Sequence, residues 1–187
     1  MIKFERAVDD QSLVQILKLQ KQNLKENLSQ EERDSQGFVT AKHTFEQLKE
    51  INLKENAVIA TSNGKVIAYA IAMRRETGKG MQVFDRLFEE VDKIKIGEMK
   101  FTHFPYIFVG QLCIAKEFRG QGLVEKLYAF FSAEMQNKYD FIVTDISQEN
   151  PRSLKAHEKS GYKKIQHFFD HYNNSYWDIV IKDLRNH

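Results

Sequence analysis

A glycine-rich turn between a strand signal and a helix signal constrains this chain more than any other feature. Residues 119 to 124 read Arg-Gly-Gln-Gly-Leu-Val, with the apolar run Tyr106 to Ile114 before them and the amphipathic stretch Leu123 to Met135 after. The first backbone N–H groups of a helix have no partner inside it. They point outward with the positive end of the helix dipole, so a strand, a glycine turn and a helix start in that order form an anion cradle. Glycine lets backbone approach a ligand with no Cβ in the way. The same turn also fits a plain strand-to-helix connection. Two phosphate motifs are excluded by the residues themselves. A dinucleotide fingerprint needs a third glycine where Glu125 stands, and a P-loop needs Gly-Lys followed by Ser or Thr, which does not occur.

The chain has 187 residues, enough for one domain with a substantial core. Its formal net charge is +2, with Lys and Arg scattered among Asp and Glu, so no strong field draws it to nucleic acid or a membrane surface. We expect neither as a partner. The single cysteine, Cys113, excludes an intramolecular disulfide and fits a reducing, cytoplasmic setting. No apolar stretch approaches the roughly 18 residues of a membrane span, and Met1 to Arg6 begins no signal-peptide apolar region. Pro105 and Pro151 are the only prolines, and neither a linker nor a repeat is visible, so residues 1 to 187 read as a single domain.

Ile2 to Ala7 reads as an opening strand, and Asp9 or Asp10 caps a helix with Leu13, Ile16, Leu17 and Leu24 on one face. Residues 27 to 41 are polar and read as irregular, with Phe38 a loop contact for a substrate. Thr44 caps a second helix carrying Phe45, Leu48 and Ile51. Ala57 to Thr61 and Val66 to Met73 flank Ser62-Asn63-Gly64-Lys65, a hairpin signal. Met81, Phe84, Leu87, Phe88, Val91 and Ile94 predict a helix near 81 to 95, within a helical insertion at about 74 to 104 that either covers the sheet or lids a substrate site. Strands at 106 to 114 and 141 to 146 frame the glycine turn and a helix from about 122 to 137. Asn150-Pro151 opens another helix, which Gly161 ends. Tyr162 to Phe169 and Tyr176 to Ile181 pair across Asn173-Asn174. The order predicts an α/β mixed sheet.

A second polar cluster follows the strand at 141 to 146. Asn150, Ser153 and His157 are spaced by three and four, which puts them on one helix face near its N-terminal end. By themselves they read more simply as a capping Asn, an exposed serine and a surface histidine.

Together the two clusters resemble the GNAT N-acetyltransferase superfamily. That family's acetyl-CoA signature is Arg or Gln, two residues of any kind, Gly, one of any kind, then Gly or Ala; here it reads Arg119-Gly-Gln-Gly122-Leu-Val124. Its second signature is Asn, a short helix with a central Tyr, then Gly-Phe or Gly-Tyr; here Asn150, His157 and Gly161-Tyr162 occupy those places. The element order matches along nearly the whole chain. The resemblance implies a single-domain, mostly antiparallel twisted sheet flanked by helices, with strands splayed at the acetyl-CoA cleft. It implies acetyl-CoA as cosubstrate, with no metal. Backbone of Leu112, Cys113 and Ile114 would bind the pantetheine arm like an added strand. Arg119, Gly120, Gln121, Gly122, Leu123, Val124 and Glu125 would form the pyrophosphate turn, and Asn150 and Ser153 would contact the cofactor from the facing helix.

The sequence departs from the pattern at Val124, whose branched side chain must point away from the pyrophosphate, and at His157, where members often carry the Tyr that protonates the departing thiolate. Such a thiolate has a pKa of about 8.5, and a histidine near 6.5 is only about a quarter imidazolium at pH 7. His157 is thus a tolerable acid, a hydrogen-bond partner to the sulfur, or a bystander. Some peptide N-terminal acetyltransferases of the superfamily carry an acidic residue five positions before the Asn, where Asp145 stands; it is either a general base or a strand-end cap. Glu98 and His103 are further base candidates.

The implied acceptor is a small-molecule or peptide amine of unread identity. Cys113 reads as a small buried residue rather than an acyl carrier. His167 and His171 lack the companions a metal needs. Phe168, Phe169, Tyr172, Tyr176 and Trp177 crowd the closing hairpin, as an acceptor wall or a homodimer contact. The rivals are an acyl-CoA sensor of the same fold without turnover, and a nucleotide-binding α/β domain.

Overall fold

In a computed structural model, which describes residues 1 to 185, the chain builds a mixed α/β fold around a seven-stranded sheet. The strands are β1 (Ile2–Arg6), β2 (Val58–Ser62), β3 (Lys65–Met73), β6 (Tyr106–Ile114), β7 (Phe141–Ser147), β8 (Lys163–Asp170) and β9 (Ser175–Asp183), in the spatial order β1-β2-β3-β6-β7-β9-β8. Every neighbouring pair is antiparallel except β6 and β7. The β2–β3 hairpin turns on Asn63 and Gly64, both at positive φ (51° and 72°), the backbone state that a two-residue turn matched to strand twist requires.

The helices are α1 (Asp10–Asn23), α2 (Gln30–Gln36), α3 (Phe45–Lys54), α4 (Arg75–Gly78), α5 (Gln82–Val91), α6 (Leu123–Met135) and α7 (Pro151–Lys159). One sheet face packs under α1, α3 and α5 through Leu13, Ile16, Leu48, Ile51, Phe84 and Phe88. The other packs under α6 through Leu123, Leu127, Tyr128, Phe131 and Met135. Both layers follow from apolar residues at helical spacing over strands that are buried on both faces. Asp9 caps α1, its carboxylate accepting from the Ser12 amide at 2.7 Å, and Thr44 and Gln47 close a capping box at α3.

The stretch at 27 to 41 is more regular than its composition predicts. It contains α2, whose Ser29 and Glu32 form a capping box. Ser29-x-x-Glu32 is a helix-start signal, but α2 buries none of its residues, so no apolar period marks it. In the 74 to 104 region α5 matches the expected helix, and the short α4 and a small hairpin of β4 (Lys95–Ile96) with β5 (Met99–Lys100) accompany it.

A fork in the sheet positions the site. β6 and β7 pair only from Tyr106 with Phe141 to Phe108 with Val143. Beyond that point each strand keeps its outer neighbour and leaves the edge facing the other strand unpaired. Gly110 stands out of register in the β3–β6 ladder, where the pairing jumps from Ile71–Gln111 to Ala72–Val109. Such a bulge bends its strand and increases its twist, which turns β6 away from β7. The Thr144 hydroxyl closes the fork by donating to the Val109 carbonyl at 2.8 Å.

Candidate active site

Two cavities open from the fork. The larger, about 400 Å³, lies between the end of β6, the start of α6 and the exposed side of α7. The smaller, about 80 Å³, lies on the α5 side, between β6 and β7. Phe38, Val39, Leu112, Asn150 and Ser153 line both, so the two spaces meet beneath residues 38 and 39.

The glycine turn forms one wall of the larger cavity. Gly120 and Gly122 have φ of 76° and 67°, and Gly122, in the left-handed region, occupies the N-cap of α6 with no side chain to cap it. Among the described residues, the amides of residues 120 to 125 donate to no backbone or side-chain oxygen. They are free donors at the positive end of a helix dipole, which suits a pyrophosphate. Gly120, Gly122, Leu123, Val124 and Glu125 line this cavity. Val124 packs against the α6-side core, as its branched side chain demands. Gln121 turns away, donating to the Glu117 carbonyl at 3.2 Å. Of the strand residues, Cys113 and Ile114 line the larger cavity, while Leu112 lies at the junction.

Three cations on the facing wall escaped the sequence reading. Arg152, Lys155 and Lys159 of α7 line the larger cavity. Their signal was present in their spacing of three and four, which puts them on one helical face beside Asn150 and Ser153. Uncapped amides opposite these cations fit a phosphate-bearing cosubstrate on the charge of the walls alone.

The segment from Leu24 to Ala41 straps across the cleft from one lip to the other. The Arg119 side chain holds it to the β6 lip. Its Nε donates to the Ile114 carbonyl at 3.0 Å, one terminal nitrogen donates to the Gln36 carbonyl at 3.2 Å, and the other pairs with Asn23. Burial lowers the Arg119 pKa, so these acceptors are what keep the guanidinium in place. Asn150 holds the strap to the β7 lip: its amide nitrogen donates to the Phe38 carbonyl at 3.2 Å, and its Oδ1 accepts from the Ser153 amide at 3.2 Å to cap α7. A Cβ on Gly37 (φ 73°) would come within 2.8 Å of that Oδ1, so the close approach requires glycine. Both side-chain ends of Asn150 are thus committed to protein, although it lines both cavities.

His157 is buried, 4% exposed. Its Nδ1 lies 2.8 Å from the Ser153 carbonyl, which can only accept, so Nδ1 carries the hydrogen. Nε2 then accepts from the Tyr128 hydroxyl at 2.6 Å. Tyr128 and Tyr162 pack edge-on around the ring. Burial pushes the His157 pKa down to about 4, against a small raising effect of the Ser153 carbonyl. The ring is neutral near pH 7 with both nitrogens engaged, and this arrangement does not supply the imidazolium that the sequence reading allowed as an acid. Nothing in the local sequence signalled this, because the enclosing tyrosine comes from α6.

Asp145 lines the smaller cavity with Gln111, Thr144, Ser147 and Trp177. Asp145 is half-buried; desolvation by the protein around it pushes its carboxyl up to about 7, and the charge of Asp170 adds to the rise. A carboxyl with a midpoint near neutral pH lining a cavity is the kind of group that can accept a proton there. Glu98 and His103 are exposed and line neither cavity. The Cys113 thiol is buried and pushed up to about 12 by desolvation, which leaves it no nucleophilic thiolate. Behind the smaller cavity, Gln111 accepts from Tyr69 at 2.6 Å and from Gln20 at 2.9 Å and donates to the Ala41 carbonyl at 2.7 Å, which locks the β6 bulge to α1 and the strap. Among the described residues no group of His, Cys, Asp and Glu is arranged to hold a metal, and no helix is long and apolar enough to cross a membrane.

The forked sheet, the uncapped glycine turn and the cleft between the splayed strands are those of an acetyltransferase fold. The profile of the "Acetyltransferase (GNAT) family" matches residues 18–162, and the chain belongs to that family. Its fold is similar to the ribosomal-protein-S18-alanine N-acetyltransferase from Escherichia coli (TM-score 0.63, 10% identity, 98% of this chain and 94% of that one). It is similar also to a chain of the NatC complex bound to Gag peptide and CoA (TM-score 0.67, 16% identity, 97% and 98% covered). A third similar structure is a spermidine N-acetyltransferase chimera from Vibrio cholerae and hSSAT (TM-score 0.60, 14% identity, 98% and 95% covered). No curated protein sequence matches the chain.

Proposed function

We propose that the protein is an acetyl-CoA-dependent N-acetyltransferase that passes the acetyl group to a primary amine by direct attack within a ternary complex. The observation that carries this reading is the junction of the two cavities. Free amides and cations line one side, a carboxyl near its own midpoint lines the other, and both spaces meet at Leu112, Phe38 and Val39. Acetyl-CoA, when bound, supplies the thioester carbonyl. The residues 120 to 125 and the α7 cations hold its phosphates, and the unpaired edge of β6 from Leu112 to Ile114 aligns its arm.

An amine arrives protonated and is inert until it loses that proton. Asp145 takes it, directly or through one water, and β6 amides at the fork polarise the thioester carbonyl as charge develops on its oxygen. His157 positions rather than protonates: by holding the Ser153 carbonyl and the Tyr128 hydroxyl it fixes the start of α7 against α6. A thiolate of pKa about 8.5 needs no dedicated acid, since water can protonate it. The inert Cys113 favours direct attack over an acyl-enzyme.

The test is thiol release from acetyl-CoA over a broad amine panel, beside calorimetric titration of acetyl-CoA alone. Saturable, amine-dependent release supports the reading. Tight acetyl-CoA binding with release at background for every amine supports the sensor instead.

A further inference from the structure

We infer that the acceptor is the free α-amine of a peptide chain whose first side chain is small and uncharged; the inference rests on the N-acetyltransferase reading and narrows it. The argument begins with charge. The smaller cavity is lined by one carboxyl, Asp145, and by no Lys or Arg. His157 at its edge is neutral. A free amino acid would bring its own carboxylate to within a few ångströms of the attacking nitrogen, beside Asp145 and with no counter-ion. In a peptide that carboxylate is a neutral amide, and the conflict disappears.

Size and polarity point the same way. A water-sized group needs about 10–15 Å³ of this kind of volume, so the 80 Å³ cavity admits about five to eight non-hydrogen atoms. That matches an amine, its Cα, a carbonyl and a short side chain. Val39, Ala41, Val83, Phe84 and Trp177 give that side chain an apolar wall, which a charged or long polar one would desolvate without a partner. The Gln111 side-chain oxygen is taken up by Tyr69 and Gln20, and its amide nitrogen is tied to the Ala41 carbonyl. The rest of a peptide has an exit along the β7 edge that faces the fork, which no strand covers beyond Val143. Extended chain adds naturally to such an edge.

The proton chemistry agrees. An α-ammonium has a pKa of about 7.7–8.0 and an alkylammonium about 10.4. Transfer to a carboxylate whose conjugate acid titrates at about 7 is uphill by less than about tenfold for the first and more than about a thousandfold for the second.

The experiment measures kcat/KM by thiol release on the full chain with four acceptors at one pH. They are heptapeptides beginning with Gly, Ala or Ser; an N-formylated heptapeptide with an internal lysine; free alanine; and spermidine. The expected result is that the free-α-amine peptides exceed spermidine and the lysine peptide by at least about tenfold and free alanine by at least about a hundredfold. Replacing the first residue by Trp or Arg should lower kcat/KM at least about tenfold. Equal or faster turnover of spermidine, the blocked lysine peptide or free alanine overturns the peptide assignment and leaves the N-acetyltransferase reading standing. No release from any acceptor, with acetyl-CoA bound, overturns both.

Discussion

The Tyr128 hydroxyl donates to Nε2 of His157 at 2.6 Å, and this bond decides what the histidine can do. With Nδ1–H spent on the Ser153 carbonyl, the ring has neither a free proton nor a free lone pair for a departing sulfur. Nitrogen-15 NMR should find His157 neutral, protonated at Nδ1, at pH 6. Tyr128→Phe leaves Nε2 buried without a donor and should cost about 1–3 kcal/mol in a denaturant titration. His157→Tyr inserts a larger ring between Tyr128 and Tyr162 and should cost about 1–3 kcal/mol rather than restore an acid. Wild-type turnover in a stable His157→Tyr protein would contradict this account.

As the proposed base, Asp145 should set the pH dependence of turnover. kcat/KM should rise with pH through a midpoint near 7, as the carboxyl ionises. Asp145→Asn should remove that limb and lower kcat/KM by about a hundredfold or more. Stability should move the other way. The folded carboxyl binds its proton more tightly than the ordinary value of 3.8, so it contributes stability at low pH that is lost as pH rises from about 4 to about 7. Above pH 7 the asparagine variant should therefore melt higher than the parent, by roughly 2 kcal/mol in stability.

His43 and His157 produce an acid limit. Burial pushes both down to about 4 from 6.5. The unfolded chain binds protons that the folded one refuses, so their contribution is full above about pH 6.5 and is lost as pH falls toward 4. In an Asp145→Asn background, which removes the opposing carboxyl, stability from urea titrations should be higher at pH 7.5 than at pH 5.0 by about 2 kcal/mol for each histidine.

Gly122→Glu should abolish acetyl-CoA binding in calorimetry. Its positive φ of 67° strains any L-residue, and the new carboxylate would stand among the amides that await phosphate. Unchanged affinity would remove the turn from the site.

Arg119→Ala should loosen the strap without touching the phosphate amides. It deletes the bonds to Ile114, Gln36 and Asn23. We expect a loss of about 2 kcal/mol in stability, together with faster hydrogen exchange across residues 24 to 41. Arg119→Lys keeps the charge but not the fork of donors, and should rescue little.

Much of the fold was legible because its signals are local. Apolar alternation and period located the main strands and helices, Asp9, Thr44 and Asn150 marked helix starts, and Gly161 with φ 90° marked a helix end. α2 was lost because it buries nothing, although its capping box stood in the sequence. Asn150, Ser153 and His157 were correctly placed on one helix, yet the burial of His157 was not, because Tyr128 lies 29 positions away.

By itself the sequence determined the element order, the uncapped glycine turn and the family's pair of clusters, since each depends on residues within one turn of backbone. Only the tertiary structure decided how those parts work. The Gly110 bulge opens the fork, Arg119 and Asn150 strap residues 24 to 41 across it, Tyr128 keeps His157 neutral, and burial beside Asp170 brings Asp145 to about 7. Desolvation and hydrogen bonding between distant segments exist only once the chain has closed around them.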